Sequence, residues 1–263
     1  MGRRVVVAAG LLFVVACSKD RPPVPAAVEA EAPPPAPVEA AAPPEPTAVL
    51  REEKTLDVDG VKETWRLEWI RPPVPTCMGD EGLASCPCAP FGFGEVGDLD
   101  LVRARPGEPD DRLHLDPLFE DHDAKLRRWA PTAAEQKALK APPIADLQAR
   151  ELAPLMVFGD YDHDGRATEF VLAVAAPACG HVQSVVVGID KRNPKLHAFG
   201  TADKPGEPLV LERTSDWEKV KGKLPVELTE WTCGDHGAEV ETHVTISLDL
   251  SGLRATPTSK KCN

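Results

Sequence analysis

Phe158-Gly159-Asp160-Tyr161-Asp162-His163-Asp164-Gly165-Arg166-Ala167-Thr168-Glu169-Phe170 sets three aspartates at alternate positions and runs them into a glycine. Carboxylates at the first, third and fifth positions of a tight loop converge their oxygens on one centre, and a glycine at the sixth lets the backbone turn sharply. Such a loop holds a hard, oxygen-seeking cation. Calcium accepts about six to eight oxygen ligands in flexible geometry and suits it better than magnesium, which keeps its water. Apolar runs of strand length flank the loop, Pro154 to Phe158 before it and Phe170 to Ala176 after it, so the pattern predicts a strand-loop-strand unit. An EF-hand would need helices on both sides and a glutamate at the twelfth position, which here is Val171. The plainer alternative is a solvated acidic turn, since Asp and Gly favour loops on conformational grounds alone.

The stretch resembles the calcium loop of FG-GAP and VCBS-type β repeats, in which an Asp-x-Asp-x-Asp-Gly turn joins two strands and an acid at position nine closes the site. Here position nine is Thr168 and the acid follows at Glu169. The resemblance implies that Asp160, Asp162 and Asp164 are side-chain ligands and the Arg166 carbonyl a backbone ligand, with Thr168 or Glu169 completing the shell around a calcium ion. Proteins built on such repeats form propellers from several copies. Gly97-Asp98-Leu99-Asp100 begins a second copy and then loses the pattern, so no propeller is expected.

Towards the N-terminus, residues 1–16 read as an export signal: Arg3 and Arg4 precede an apolar core from Val5 to Ala16 that is short for a membrane span. Val14-Val15-Ala16-Cys17 resembles the bacterial lipobox, which implies cleavage before Cys17 and a lipid on that cysteine. The expected location is the bacterial cell envelope, anchored in the membrane through the lipid. Ser18 after the cysteine, by analogy with enteric sorting, favours the outer membrane over the inner. Residues 17–48 then form a spacer of Pro, Ala, Val and Glu, which lacks the apolar bulk to offset the entropy of ordering. In extended polyproline geometry, at about 3.1 Å per residue, Arg21 to Ala48 would reach on the order of 90 Å.

Residues 49–263 are the expected folded domain. Trp65, Leu67 and Trp69 alternate with Arg66 and Glu68 in a half-buried strand over residues 61–70. Two short strands fit between Leu99 and Leu118, with Pro106 to Asp111 as their turn. Helices are expected over 123–129, 131–139 and 144–152, packing on one face of the sheet. Val182 to Ile189 and Leu196 to Phe199 read as strands, and Ser215-Asp216-Trp217-Glu218 as a capping box opening a helix that Pro225 closes. From Val240 to Leu250 the even positions Val240, Thr242, Val244, Ile246, Leu248 and Leu250 alternate with polar odd ones, predicting a strand with one face buried. The fold class is therefore α+β, a mainly antiparallel β-sheet domain with a few short helices, stapled by disulfides.

Of the seven cysteines, six lie beyond the lipobox: Cys77, Cys86, Cys88, Cys179, Cys233 and Cys262. An even number in an exported chain reads as three disulfides whose connectivity the sequence leaves open. Cys86 and Cys88 should take different partners, and Cys179 with Cys233 is the pairing expected from their placement at corresponding strand ends. The same two segments, Cys179-Gly180-His181 and Cys233-Gly234-Asp235-His236, offer a zinc site of two cysteines and two histidines as the rival reading. His163 should point outward from the acidic loop, and Asp121-His122-Asp123 resembles a metal cluster but is explained by a charged turn before a helix.

The net charge of −12 becomes more negative by two on loss of residues 1–16, which excludes nucleic acid as a partner because phosphates demand a basic footprint. The chain carries none of the local signatures of serine hydrolases, zinc peptidases, P-loop or dinucleotide enzymes. The expectation is a non-enzymatic envelope lipoprotein that binds another envelope protein or a glycan. The alternative is a glycan or peptidoglycan hydrolase whose carboxylates come from distant strands.

Overall fold

The computed structural model describes residues 47–84 and 88–263; the expected export signal, Cys17, the expected spacer up to residue 46, and Cys86 lie outside the described residues. In chain order the strands are β1 (Val49–Val58), β2 (Val61–Trp69), β3 (Val74–Thr76), β4 (Gly94–Gly97), β5 (Leu99–Ala104), β6 (Asp111–His114), β7 (Ala124–Arg127), β8 (Glu169–Ala178), β9 (His181–Gly188), β10 (His197–Ala198), β11 (Gly200–Thr201), β12 (Lys204–Pro208), β13 (Val226–Trp231), β14 (Val240–Asp249) and β15 (Gly252–Lys261). Among the described residues four short α-helices interrupt them: α1 (Glu81–Ala84), α2 (Ala133–Ala138), α3 (Ile144–Gln148) and α4 (Thr214–Gly222). The ladders between them are antiparallel, in sheets ordered β1-β2-β5-β6, β3-β4-β7, β10-β9-β8, β11-β12 and β13-β14-β15.

The β1-β2 hairpin turns through Asp59 and Gly60, both at positive φ (54° and 83°), as a two-residue turn with matched twist requires. Trp65, Leu67 and Trp69 of β2 are buried and form one core with Leu99 and Leu101 of β5. Burying each such side chain contributes about 1.5–3 kcal/mol. A second core gathers Trp217 and Val220 of α4 with Leu228, Val244, Ile246 and Leu253 of β13 to β15. The β8-β9 hairpin lies between the two. Phe170, Leu172, Val185 and Val187 face the first core and Val186 the second. This antiparallel hairpin is covered on both faces, which the rule of one wet face does not anticipate.

Several expectations are corrected. Residues 123–129 hold no helix: Ala124-Lys125-Leu126-Arg127 is strand β7, paired to β4, because a sheet partner overrides a modest helix propensity. Residues 154–158 form no regular strand, although Met156 and Phe158 pack on the first core, Phe158 edge-on to both Trp65 and Phe170. Helix α2 begins with the reciprocal cap of Thr132 and Glu135, whereas α4 starts at Thr214 without a side-chain cap. Helix α3 packs Leu147 against Leu83, Phe93 and Trp129 in a third, small cluster. In β14 only Val244 and Ile246 of the apolar face are buried, while Val240 and Leu248 near its ends, and Leu250 in the turn after it, are exposed because β14 runs past the ends of β13. Cys77 bonds Cys88, and Cys233 bonds Cys262 instead of Cys179, which is itself disulfide-bonded. Among the described residues no helix is long and apolar enough to cross a membrane.

Candidate metal centre

The acidic loop hangs from one antiparallel bridge. Gly159 N–H donates to the Glu169 carbonyl at 2.8 Å and Glu169 N–H to the Gly159 carbonyl at 3.3 Å, at the point where β8 begins. Aromatic side chains fix both ends of its first turn. Phe158 enters the first core, and Tyr161 is buried in the second, edge-on to Trp217 with ring centroids 6.2 Å apart. The loop therefore straddles the seam between the two cores.

Asp160, Asp162 and Asp164 each bring one carboxylate oxygen within 4.8 Å of the others. The turn that gathers them is built by its own backbone. Asp164 N–H donates to Asp162 Oδ1 at 3.0 Å, Gly165 N–H to Asp160 Oδ2 at 3.0 Å, and Arg166 N–H to Asp164 Oδ1 at 2.8 Å. Gly165 takes φ 90°, which a side chain would resist. Asp160 Oδ1 is buried with no hydrogen-bond partner among the described residues.

Thr168 and Glu169 lie behind the aspartates. Both are buried, and Glu169 spends its oxygens inside the loop: Oε2 accepts from Tyr161 N–H at 2.8 Å and Oε1 meets Thr168 Oγ1 at 2.7 Å. Thr168 Oγ1 also reaches the Ile189 carbonyl at 2.9 Å. Arg166 turns its guanidinium back on Asp164 Oδ2 at 3.1 Å and across to Asp59 of the β1-β2 turn at 3.1 Å.

Residues that the sequence reading passed over complete the surroundings. The turn after β9 sends Lys191 N–H to Asp164 Oδ2 at 2.7 Å and Arg192 Nη2 to Asp162 Oδ2 at 3.3 Å, with Asp190 Oδ2 3.6 Å from the same Arg192 nitrogen. No local motif marks Asp190 or Arg192; folding brings them to the loop. His163 is half-buried, not outward, and its Nε2 lies 2.8 Å from the Val220 carbonyl at the end of α4.

Burial pushes the Asp162 carboxyl up to about 6, and the charges of Asp164 and Asp190 add to the rise against the Asp164 amide and Arg192. Burial likewise lifts Glu169 to about 8, opposed by its bonds from Thr168 and Tyr161. Asp164 ends below its ordinary value, because hydrogen bonds from Arg166 and Lys191 outweigh its burial. The loop thus holds carboxylates of which two, Asp162 and Glu169, carry charges that burial makes costly where they stand. A divalent cation among them would remove that cost, and the all-oxygen donor set with the orphaned Asp160 Oδ1 fits a hard ion of the calcium type. Comparison with protein-family models, with curated proteins and with solved structures finds no match.

Proposed function

We propose that this is a lipid-anchored protein of the bacterial cell envelope, outer membrane rather than inner, whose folded body is locked by a calcium ion and binds an envelope protein or glycan without catalysing a reaction. The observation that supports calcium is the buried, unpartnered Asp160 Oδ1 beside oxygens of Asp162 and Asp164. These three carboxylates would hold the ion, with the Arg166 carbonyl as a backbone donor. Thr168 and Glu169, first expected to close the shell, serve in this reading as the brace that keeps the loop folded. The ion's role is mechanical. Phe158 belongs to one core and Tyr161 to the other, so closing the aspartates on a cation would fasten the two packing units together. Binding energy would then become folding energy.

The lipid anchor rests on Cys17 and its lipobox, and the spacer up to residue 48 would carry the body clear of the membrane surface. The test is thermal unfolding of the chelator-treated full chain in detergent with and without calcium. A rise in Tm that saturates with calcium, and that Asp160→Asn abolishes, supports the reading. An unchanged melt overturns it.

A further inference from the structure

A second cluster lies away from the acidic loop, where the start of β9 meets the turn between β13 and β14. His181, the first residue of β9, is 1 % exposed, and its ring stacks on Trp231 of β13 at 3.8 Å with the planes 11° apart. Its Nε2 lies 2.9 Å from Asp235 Oδ2, and Asp235 Oδ1 lies 2.7 Å from His236 Nδ1. One donor atom from each of His181, Asp235 and His236 falls within 4.8 Å of the other two. Behind the ring, His181 Nδ1 faces Glu212 Oε2 at 3.4 Å. Both atoms are buried and neither has a hydrogen-bond partner among the described residues, while Gln183 holds the other Glu212 oxygen at 2.9 Å.

A neutral imidazole carries one N–H, yet this ring has a carboxylate at each nitrogen. If Nε2 keeps the proton for Asp235, a bare Nδ1 lone pair faces the Glu212 carboxylate in a buried place. A metal ion bound to Nε2 removes the conflict, because the proton then sits on Nδ1 and is donated to Glu212. That is the arrangement by which a carboxylate orients a metal-bound histidine and raises its basicity. We propose that His181, Asp235 and His236 form a binding site for a borderline divalent transition metal, zinc by the chemistry of two imidazoles and one carboxylate, with Glu212 orienting His181 from behind. The cysteines of the same two segments take no part, since Cys179 and Cys233 are both disulfide-bonded. The Cys233–Cys262 bond instead anchors the turn that carries Asp235 and His236. His236 is partly exposed and gives the ion its route from solvent. This site is independent of the calcium reading, which concerns a hard ion and oxygen donors alone.

The test uses the full chain in detergent, without a histidine tag, after treatment with chelator. Cobalt(II) should add stoichiometrically with the strong visible absorption of a tetrahedral nitrogen and oxygen site, and it should quench fluorescence from Trp231, whose ring stacks on His181. Excess zinc should abolish both signals and calcium should leave them. His236→Ala, a change on the exposed side, should weaken zinc binding at least about 100-fold, and Glu212→Gln about 10–100-fold with the absorption retained. Asp162→Asn should change neither signal. Absence of tetrahedral cobalt absorption, or zinc affinity unchanged in His236→Ala, overturns the proposal. So does a His181 ring whose NMR signals are unchanged by excess zinc.

Discussion

Thr168 Oγ1 and Glu169 Oε1 lie 2.7 Å apart, and the same hydroxyl lies 2.9 Å from the carbonyl oxygen of Ile189. A hydroxyl has one proton and cannot donate to both acceptors. A protonated Glu169 resolves the pair by donating to Thr168 Oγ1, which leaves the threonine proton for Ile189, in accord with a carboxyl that burial has raised to about 8.

A carboxyl whose folded pKa is raised binds its proton more tightly in the native state, so its stabilising effect is complete below the unfolded value and is lost as pH climbs through the folded one. For Glu169 that window runs from 4.5 to about 8, and Asp162 adds a loss in the same direction between 3.8 and about 6. Urea unfolding in chelator should therefore give a lower stability above pH 8 than near pH 5, by on the order of 5 kcal/mol. Glu169→Gln, which can still donate to Thr168, should stay within about 1 kcal/mol of the parent at neutral pH and flatten the slope. Glu169→Ala, which strands the Tyr161 amide, should cost about 3 kcal/mol.

Asp162→Asn should act with opposite signs in the two states of the loop. Without metal it removes a buried charge and should raise stability at pH 8 by on the order of 1 kcal/mol. With calcium it deletes a charged ligand, so calorimetric titration should show affinity lowered by at least about tenfold. Destabilisation in chelator would contradict the assignment of Asp162 as a strained ligand.

Glu63 and Arg103 make a bidentate ion pair across β2 and β5, with Nε to Oε2 at 2.6 Å and Nη2 to Oε1 at 2.7 Å, while Arg103 Nη1 donates to the Pro194 carbonyl at 2.7 Å. Both side chains are buried. Glu63→Ala leaves the Arg103 charge buried without its partner and should cost about 3–5 kcal/mol in urea unfolding, while Arg103→Ala, which leaves Glu63 with Arg105 at 3.6 Å, should cost less. The double replacement by Met should recover most of that loss.

Phe158 links the first core to the acidic loop through edge-on contacts with Trp65 at 5.2 Å and Phe170 at 5.5 Å. Phe158→Ala should destabilise by about 3–5 kcal/mol and, by loosening the entry to the loop, weaken calcium binding. If affinity is unchanged while stability falls, the loop is ordered independently of that core.

What could be read in advance divides along physical lines. The period-two pattern of Trp65, Leu67 and Trp69 was legible because each side chain lies in the middle of a covered face. Strand β1 was missed, since Arg51, Glu52, Glu53 and Lys54 give it no apolar alternation. The Asp59-Gly60 turn was the available signal for that hairpin. Arg51 is nonetheless buried, because its guanidinium donates to the carbonyls of Arg127 and Ala153 at 3.0 and 2.8 Å. In β14 the alternation was real, but it does not say how far a neighbour extends, and Leu248 and Leu250 project past the core.

The sequence alone determined the antiparallel, disulfide-bearing character of the domain and the gathering of Asp160, Asp162 and Asp164, because side-chain period and turn chemistry are local properties. Only the tertiary structure decided that Asp190 and Arg192 stand beside that loop, that Glu169 turns inward to brace it, and that His181 meets Asp235 with Glu212 behind it. Those meetings join residues up to 54 positions apart. They depend on how two cores close around the β8-β9 hairpin, which no stretch of neighbouring residues encodes.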